Sequence, residues 1–289
     1  MEIAVISGKG GTGKSSISAA FATLKENVVL ADCDVDAANL YILFNPIHEE
    51  EQVYIGGQKA RIDYNLCTNC GLCTNYCRFG AIAYSFGRVT ISDIACDGCK
   101  LCSRICPFHA ITMVDNNKSR MYSGTFRNGK MVYGRLAPGE ENSGKLVNVV
   151  RERAKELAKS NHIKKIIIDG PPGIGCPVLS TITGVDHVVI VTEPTISGLH
   201  DLVRTVEITS KFSLKTWVII NKYDLNPDIA DQISGYCADS KIEIAGMLPF
   251  DPLVVEAMVN CKSIMEWAPA SAIANEIESA FKIITNGNK

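Results

Sequence analysis

The sequence predicts an α/β fold: a mostly parallel sheet with helices on both faces, interrupted by a small α+β insert. Three observations carry this. Short continuous Val/Ile/Leu runs alternate with stretches of helical periodicity, a glycine-rich loop joins the first run to the first helical stretch, and eight of the twelve cysteines crowd between Cys67 and Cys106. Continuous apolar runs mark strands buried on both faces. Strand–helix–strand alternation implies right-handed parallel crossovers.

Taken in order, residues 2–7 (EIAVIS) read as a buried strand, followed by the glycine loop and a helical pattern with Ile17, Ala20, Phe21 and Leu24. Val28–Ala31 reads as a second strand that ends in an acidic turn, Asp32–Asp36. From about Ile55 to Phe126 the chain is Cys-rich and Gly-punctuated, with little helical periodicity. This places an inserted domain at 56–126 inside a discontinuous domain of 1–55 and 127–289. The α/β rhythm then resumes with a charged helical stretch, Leu146–Ser160, and a strand at Lys165–Asp169. Further strands are expected at His187–Thr192, Thr216–Asn221 and Glu243–Leu248, and a closing helix at Ala270–Ile284.

The bulk properties exclude several function classes. With 29 Lys and Arg against 31 Asp and Glu, the net charge of −2 gives no prior for nucleic acid or an anionic membrane surface. The first residues lack the basic start and long apolar stretch of a secretory signal, and no apolar run approaches the length of a bilayer span. The expectation is a cytoplasmic protein with no nucleic-acid partner and no membrane span.

Gly8-Lys9-Gly10-Gly11-Thr12-Gly13-Lys14-Ser15 fits G-x-x-x-x-G-K-[ST], lies between an expected strand and an expected helix, and runs on into Ser16. Glycines let the backbone turn tightly enough for its N–H groups to surround phosphate oxygens, and a helix N-terminus adds partial positive charge. Lys14 is placed to reach the outer phosphates and the Ser15 hydroxyl to ligate Mg²⁺. The competing reading, a glycine turn beside a surface lysine, does not account for the full motif in this context.

The cysteines form two runs: Cys67, Cys70, Cys73 and Cys77, then Cys96, Cys99, Cys102 and Cys106 followed by Pro107. Both have the C-x₂-C-x₂-C-x₃-C spacing of bacterial ferredoxins, in which the fourth cysteine serves the other cluster. One [4Fe–4S] cluster is expected on Cys67, Cys70, Cys73 and Cys106, the other on Cys77, Cys96, Cys99 and Cys102. Zinc remains the alternative, since C-x-x-C pairs supply tetrahedral thiolate sets; the third cysteine and the x₃ step, both repeated, argue against it. Arg78 stands where ferredoxins usually have proline after the fourth cysteine. Residues 56–126 hold eight Lys/Arg and four Asp/Glu, and Lys100 and Arg104 are candidates to dock an acidic partner, although a solvated polar face accounts for each of them as well.

With Lys9 near its start, the phosphate loop resembles the deviant Walker A loop of the MinD/ParA/Mrp-type ATPases and of the nitrogenase iron protein. The resemblance covers residues 1–45 and about 130–285. It implies a P-loop NTPase fold that binds and hydrolyses ATP with Mg²⁺. It also implies an ATP-dependent homodimer, or a heterodimer with a paralogue, in which Lys9 reaches the partner's phosphates. On this resemblance Asp34 matches the first-switch aspartate that orients the attacking water, giving a catalytic set of Lys9, Lys14 and Asp34. Asp169, opening Asp-Gly-Pro-Pro-Gly, matches the second-switch aspartate that holds Mg²⁺ through water alongside Ser15. Asn221 and Pro249-Phe250-Asp251 match the purine-contacting positions. Cys176 sits at the offset of a cluster-bridging cysteine in the nitrogenase iron protein. The segment Arg135–Lys145, which would supply the second such ligand, has no cysteine, so a metal or redox role there competes with an ordinary thiol. Cys237 and Cys261 read as apolar residues.

Three functions compete on this sequence. One is an ATP-binding and hydrolysing iron–sulfur protein that couples nucleotide state to electron transfer or metallocofactor assembly on a protein client. Another is a MinD/ParA-like spatial-positioning ATPase, and the third a ferredoxin-type electron carrier with a structural nucleotide site. The first explains the most residues: positioning usually uses a basic amphipathic tail or a basic patch, and the chain's end at 281–289 is short and weakly basic.

Overall fold

The computed structural model describes residues 1–140, 143–212 and 214–286. Part of the expected second-ligand segment (141–142) and the last three residues of the weakly basic end therefore lie outside the described residues. The first half runs β1 (Glu2–Ser7), α1 (Lys14–Thr23), β2 (Val28–Asp32), α2 (Leu40–Phe44), β3 (Ile47–Tyr54) and β4 (Gln58–Ile62). It continues through α3 (Leu72–Tyr76), β5 (Ile82–Ser85), β6 (Arg88–Ile91), α4 (Leu101–Ile105), β7 (Ile111–Asp115), β8 (Ser119–Phe126) and β9 (Gly129–Arg135). The second half runs α5 (Ser143–Ser160), β10 (Ile166–Pro172), α6 (Cys176–Ile182), β11 (His187–Thr192), α7 (Ile196–Ser210) and β12 (Lys215–Asn221). It closes with α8 (Pro227–Asp239), β13 (Glu243–Leu248), α9 (Pro252–Val259), α10 (Ile264–Trp267) and α11 (Ala272–Asn286).

Nine strands form one sheet in the order β13-β12-β11-β1-β10-β2-β9-β8-β3. From β13 to β9 every pairing is parallel, while β8 runs antiparallel to both β9 and β3. The central strands are apolar on both faces because each face is covered. Ile3, Val5, Leu30, Ile167 and Ile219 pack with Phe21 of α1 and Phe281 of α11 on one side. Ala4, Ile6, Val29, Ile168 and Ile220 pack with Val150 of α5, Leu202 of α7 and Ile233 of α8 on the other. Successive residues of β1 thus enter different cores, as the period of two along a strand requires.

The chain leaves β1 toward β2 on one side and later crosses to β11 on the other, so the end of β1 is a topological switch point where a crevice opens. The edge strand β3 carries Glu49, Glu50 and Glu51, paired with Lys130, Arg153 and Arg120. Charges on an edge strand discourage pairing with a further strand.

The cysteine-rich segment forms its own small unit of two strand–helix–strand repeats, β4-α3-β5 and β6-α4-β7, tied by β4–β7 and β5–β6 antiparallel pairs. The insert expected at 56–126 needs one correction. β8, which that range included, belongs to the large sheet, where Met121 is buried against α5-side residues. Short alternating strands look alike in sequence whichever sheet they join, and only the pairing of β8 with β3 and β9 separates it from the cysteine unit.

Candidate functional site

The loop from Gly8 to Gly13 wraps the start of α1 at the switch point, so the first free N–H groups of α1 face the crevice. Lys14 is 6% exposed and its Nζ lies 2.9 Å from Asp169 Oδ2 and 3.8 Å from Asp34 Oδ2. Burial works to lower the Lys14 pKa, but Asp169, Asp34 and Asp32 outweigh it and raise the pKa, so the ammonium is held charged. Asp169, at 0% exposure, accepts from Ser15 Oγ at 2.8 Å and from Ser18 Oγ at 2.7 Å. Ser15, Lys14, Asp34 and Asp169 therefore meet at one point, where the geometry suits a triphosphate end and its Mg²⁺.

Two residues here escaped sequence reading. Ser18, one turn after Lys14, donates to the second oxygen of Asp169 and fixes the carboxylate plane; its signal was the i+4 spacing alone. Asp32 is fully buried and accepts from the backbone N–H groups of Asp34, Asn39 and Leu40, so it shapes the loop that carries Asp34. Burial, then the nearby Asp169 charge, pushes its carboxyl up to about 7. For Asp34, burial raises the pKa against the opposing pull of Lys14.

Lys9 points away from Lys14. Its Nζ is 2.7 Å from Glu193 Oε1 and 3.0 Å from both Thr195 Oγ1 and Ser197 Oγ, beyond the end of β11. Burial would raise the Glu193 pKa, but the Lys9 bond and the Lys9 and Lys222 charges dominate and lower it. Lys9 thus rests at the rim, half-buried, at the end of the loop opposite Lys14.

The positions expected from the resemblance to contact a purine come together although they are distant in sequence. Asn221, Pro249, Phe250 and Asp251 line one cavity of about 220 Å³ with Gly13 and Ser16. Asn221 Nδ2 donates to Thr12 O at 2.8 Å, and a Cβ on Gly13 would lie 2.3 Å from that nitrogen, so the phosphate loop and this pocket are built around each other. Phe250 is 46% exposed at the mouth. Asp251 caps α9 by accepting from Leu253 N, a structural duty for its carboxylate within the pocket wall.

In the cysteine unit the two repeats exchange their last cysteines. Cys67, Cys70, Cys73 and Cys106 line one cavity; Cys77, Cys96, Cys99 and Cys102 line a second, which Cys73 also borders. Burial, then Cys67, Cys106 and Cys70, raises the pKa of Cys73. Burial, then Cys96 and Cys99, pushes Cys102 up to about 11. The thiols are thus gathered into two sets of four. Among the described residues, no three His, Cys, Asp or Glu side chains are placed for a single metal ion. Cys176, exposed at the start of α6, and Cys33, buried beneath the switch loop, stand apart from both sets.

The sequence matches the family of CobQ/CobB/MinD/ParA nucleotide-binding domains over residues 3–264. The chain belongs to that family: it is a MinD/ParA-like P-loop nucleotide-binding protein of the ATPase class. Among its relatives, Methanocaldococcus jannaschii "Uncharacterized protein MJ0578" is 40% identical over 229 residues, 78% of this chain and 79% of the relative. "Uncharacterized ATP-binding protein MJ0547" of the same organism is 24% identical over 290 residues, 98% of this chain and 87% of its own length. Of the solved structures, the septum site-determining protein MinD of Pyrococcus horikoshii, in complex with Mg-ADP, superposes with a TM-score of 0.56 at 19% identity, covering 100% of this chain and 96% of that one. A ParA-family ATPase of Chlorobium tepidum gives 0.55 at 17% identity over 96% and 98%. At such identities the structures show a shared fold. Among the described residues, no helix is long and apolar enough to cross a membrane.

Proposed function

We propose that this protein is an ATP-hydrolysing switch of the MinD/ParA kind that carries a two-cluster iron–sulfur module as its working end. The observation behind the switch is the convergence of Lys14, Ser15, Asp34 and Asp169 within one buried polar knot. In this reading the loop N–H groups and Lys14 bind the phosphates, Ser15 holds Mg²⁺ directly and Asp169 holds it through water. Asp34 orients the attacking water. Asn221 and the Pro249–Asp251 turn hold the base. Lys9 leaves Glu193 to reach a partner subunit's phosphates when two chains close around ATP.

The support for the module is the sorting of eight thiols into two cavities with the fourth cysteines exchanged, which is the ferredoxin arrangement. When bound there, the [4Fe–4S] clusters supply one-electron chemistry. A client protein would receive electrons or iron–sulfur units according to nucleotide state. The spatial-positioning alternative draws on the named MinD and ParA matches, which cover 100% and 96% of this chain; it assigns no work to the eight cysteines. Cys176 has no cysteine partner among the described residues near it, and a bridging role for it forms no part of this reading.

The deciding experiment is anaerobic isolation, with iron, acid-labile sulfide and zinc measured beside ATP turnover. We expect about eight iron per chain and ATP turnover that is lost in Lys14→Ala. Turnover with zinc in place of iron would leave a MinD-like ATPase and sink the module assignment; iron without turnover in any nucleotide state would sink the switch.

A further inference from the structure

The seam between the cysteine unit and the nucleotide domain is closed by a buried cation. Lys59, in β4, is 8% exposed, and its Nζ donates to Cys96 O and to Gly139 O, both at 2.6 Å. No carboxylate pairs with it among the described residues. A buried ammonium held only by neutral carbonyls lacks a counter-charge unless an anion stands nearby. Its first carbonyl belongs to a cysteine of the second thiol set. Its second belongs to the loop that leads into α5.

That loop is pressed hard onto the unit. Gly139 has φ +72°, and a Cβ there would lie 2.2 Å from Ile94 O, two residues before Cys96. Asn116 also bridges the seam, with its N–H on Gly57 O and its side chain on Glu140. Beyond the loop, α5 packs on α6, and a Cβ on Gly144 would meet Cys176 O at 3.4 Å, at the start of the helix that follows the Asp169 loop.

Resting on the iron–sulfur reading above, we infer that Lys59 is the positioning residue that sets the reduction potential of the cluster on Cys77, Cys96, Cys99 and Cys102. It also ties that cluster to the loop leading to the nucleotide switch. A fixed positive charge beside a cluster favours the more negative, reduced state, and charge, hydrogen bonding and burial are the protein's means of tuning such potentials. Among the described residues, no lysine lines the cavity of Cys67, Cys70, Cys73 and Cys106, so on this inference the two clusters are set apart in potential. Because Nζ is pinned to Gly139 O, displacement of the 137–140 loop moves the charge relative to the Cys96 cluster alone.

The test is an anaerobic redox titration of the full chain, followed by electron paramagnetic resonance, in the parent, Lys59→Met and Lys59→Arg, each with iron content measured. In Lys59→Met one of the two midpoints should fall so that the reduced-to-oxidised ratio changes at least tenfold at fixed potential, which is 59 mV for a one-electron couple. The other midpoint should stay in place, and Lys59→Arg should restore the parent values. In the parent, a non-hydrolysable ATP analogue should shift the same midpoint, and Lys59→Met should abolish that response. Equal shifts of both clusters, no shift in Lys59→Met, or parent behaviour lost equally in Lys59→Arg would overturn the inference while leaving the module intact. If Lys59→Met loses iron, Lys59→Gln is titrated in its place: a fall in one midpoint only supports a charge role, and unchanged midpoints refute it. A parent chain devoid of iron refutes the module reading itself, and with it this inference.

Discussion

Asp169 shows how much one carboxylate can organise. It accepts from Lys14, Ser15 and Ser18 at once, so its position is fixed before any nucleotide arrives. Lys14→Ala should abolish tight ATP binding, read by calorimetry or a fluorescent nucleotide. Asp34→Ala should leave ATP affinity within a few-fold but slow turnover by about 10²-fold or more, the scale of a lost positioning or general-base group; unchanged turnover would remove Asp34 from the chemistry. Asp32 makes a different prediction. Its carboxyl is raised from 3.8 to about 7 in the folded chain, so the native state binds the proton more tightly than the unfolded state does. Its contribution is fully present below pH 4 and is lost as pH rises through 7. Thermal unfolding without nucleotide should show Asp32→Asn gaining stability relative to the parent between pH 5 and pH 8. A parallel pair of stability curves would mean that Asp32 does not titrate in that window. One carboxamide oxygen can serve the Asn39 and Leu40 N–H groups while the NH₂ then faces the Asp34 N–H, so the pH dependence of the stability difference, and not its absolute size, is what tests the titration.

At the scale of elements, the chain uses loops at strand ends to carry chemistry and helices to hold them. The glycine loop and the Asp34 turn follow β1 and β2, and Asp169 lies within β10, the strand between them in the sheet. Their side chains meet because parallel strands end at one edge. The 137–140 loop behaves differently, since it holds two units together instead of holding a ligand. Gly139→Ala places a Cβ against Ile94 O in a left-handed backbone, and should cost roughly 1–3 kcal/mol. It should also speed hydrogen exchange across 92–98 and 135–140 while leaving β1 and β11 protected. Uniform protection in that variant would show that the seam is looser than its contacts indicate.

Across the whole molecule, two working parts share one chain through β3 and β8, which carry the backbone into and out of the cysteine unit. Lys9 is held by Glu193, Thr195 and Ser197 in the single chain, and the role proposed for it depends on a second copy. Light scattering should report a shift toward dimer with ATP in Asp34→Ala, which binds without hydrolysing, and loss of that shift when Lys9→Ala is added. Nucleotide-independent mass in both proteins would detach Lys9 from assembly. Cys70→Ser should remove one cluster preferentially, halving iron to about four per chain, and should loosen the small unit, whose buried apolar residues are only Ala60, Ala81, Ile82, Val89, Cys96, Ala110 and Ile111. On the iron–sulfur reading proposed above, a core that small would depend on its clusters to fold.

The local order of this protein was legible in its residues. Periodicity placed β1, α1, β10, β11 and β13 because each is long, apolar and bounded by glycine or acidic turns, and the phosphate loop and both cysteine runs declare themselves by spacing within a few residues. Spacing also led to the expectation that Cys77 and Cys106 are exchanged between two sets, and in the fold each lines the cavity of the other run's cysteines. What fixed spacing does not contain is contact between distant segments. The burial of Asp32 beneath its own switch, the hold of Ser18 on Asp169, the seating of Lys9 on Glu193 and the placement of β8 in the large sheet all depend on which strands lie side by side. Lys59 is the clearest case. In the sequence it is one of eight basic residues in a polar stretch; in the fold it is a buried cation between a cysteine carbonyl and a loop eighty residues away. Tertiary structure decided this because burial and partner, which set what a charge does, are properties of packing, and no short window of sequence carries them.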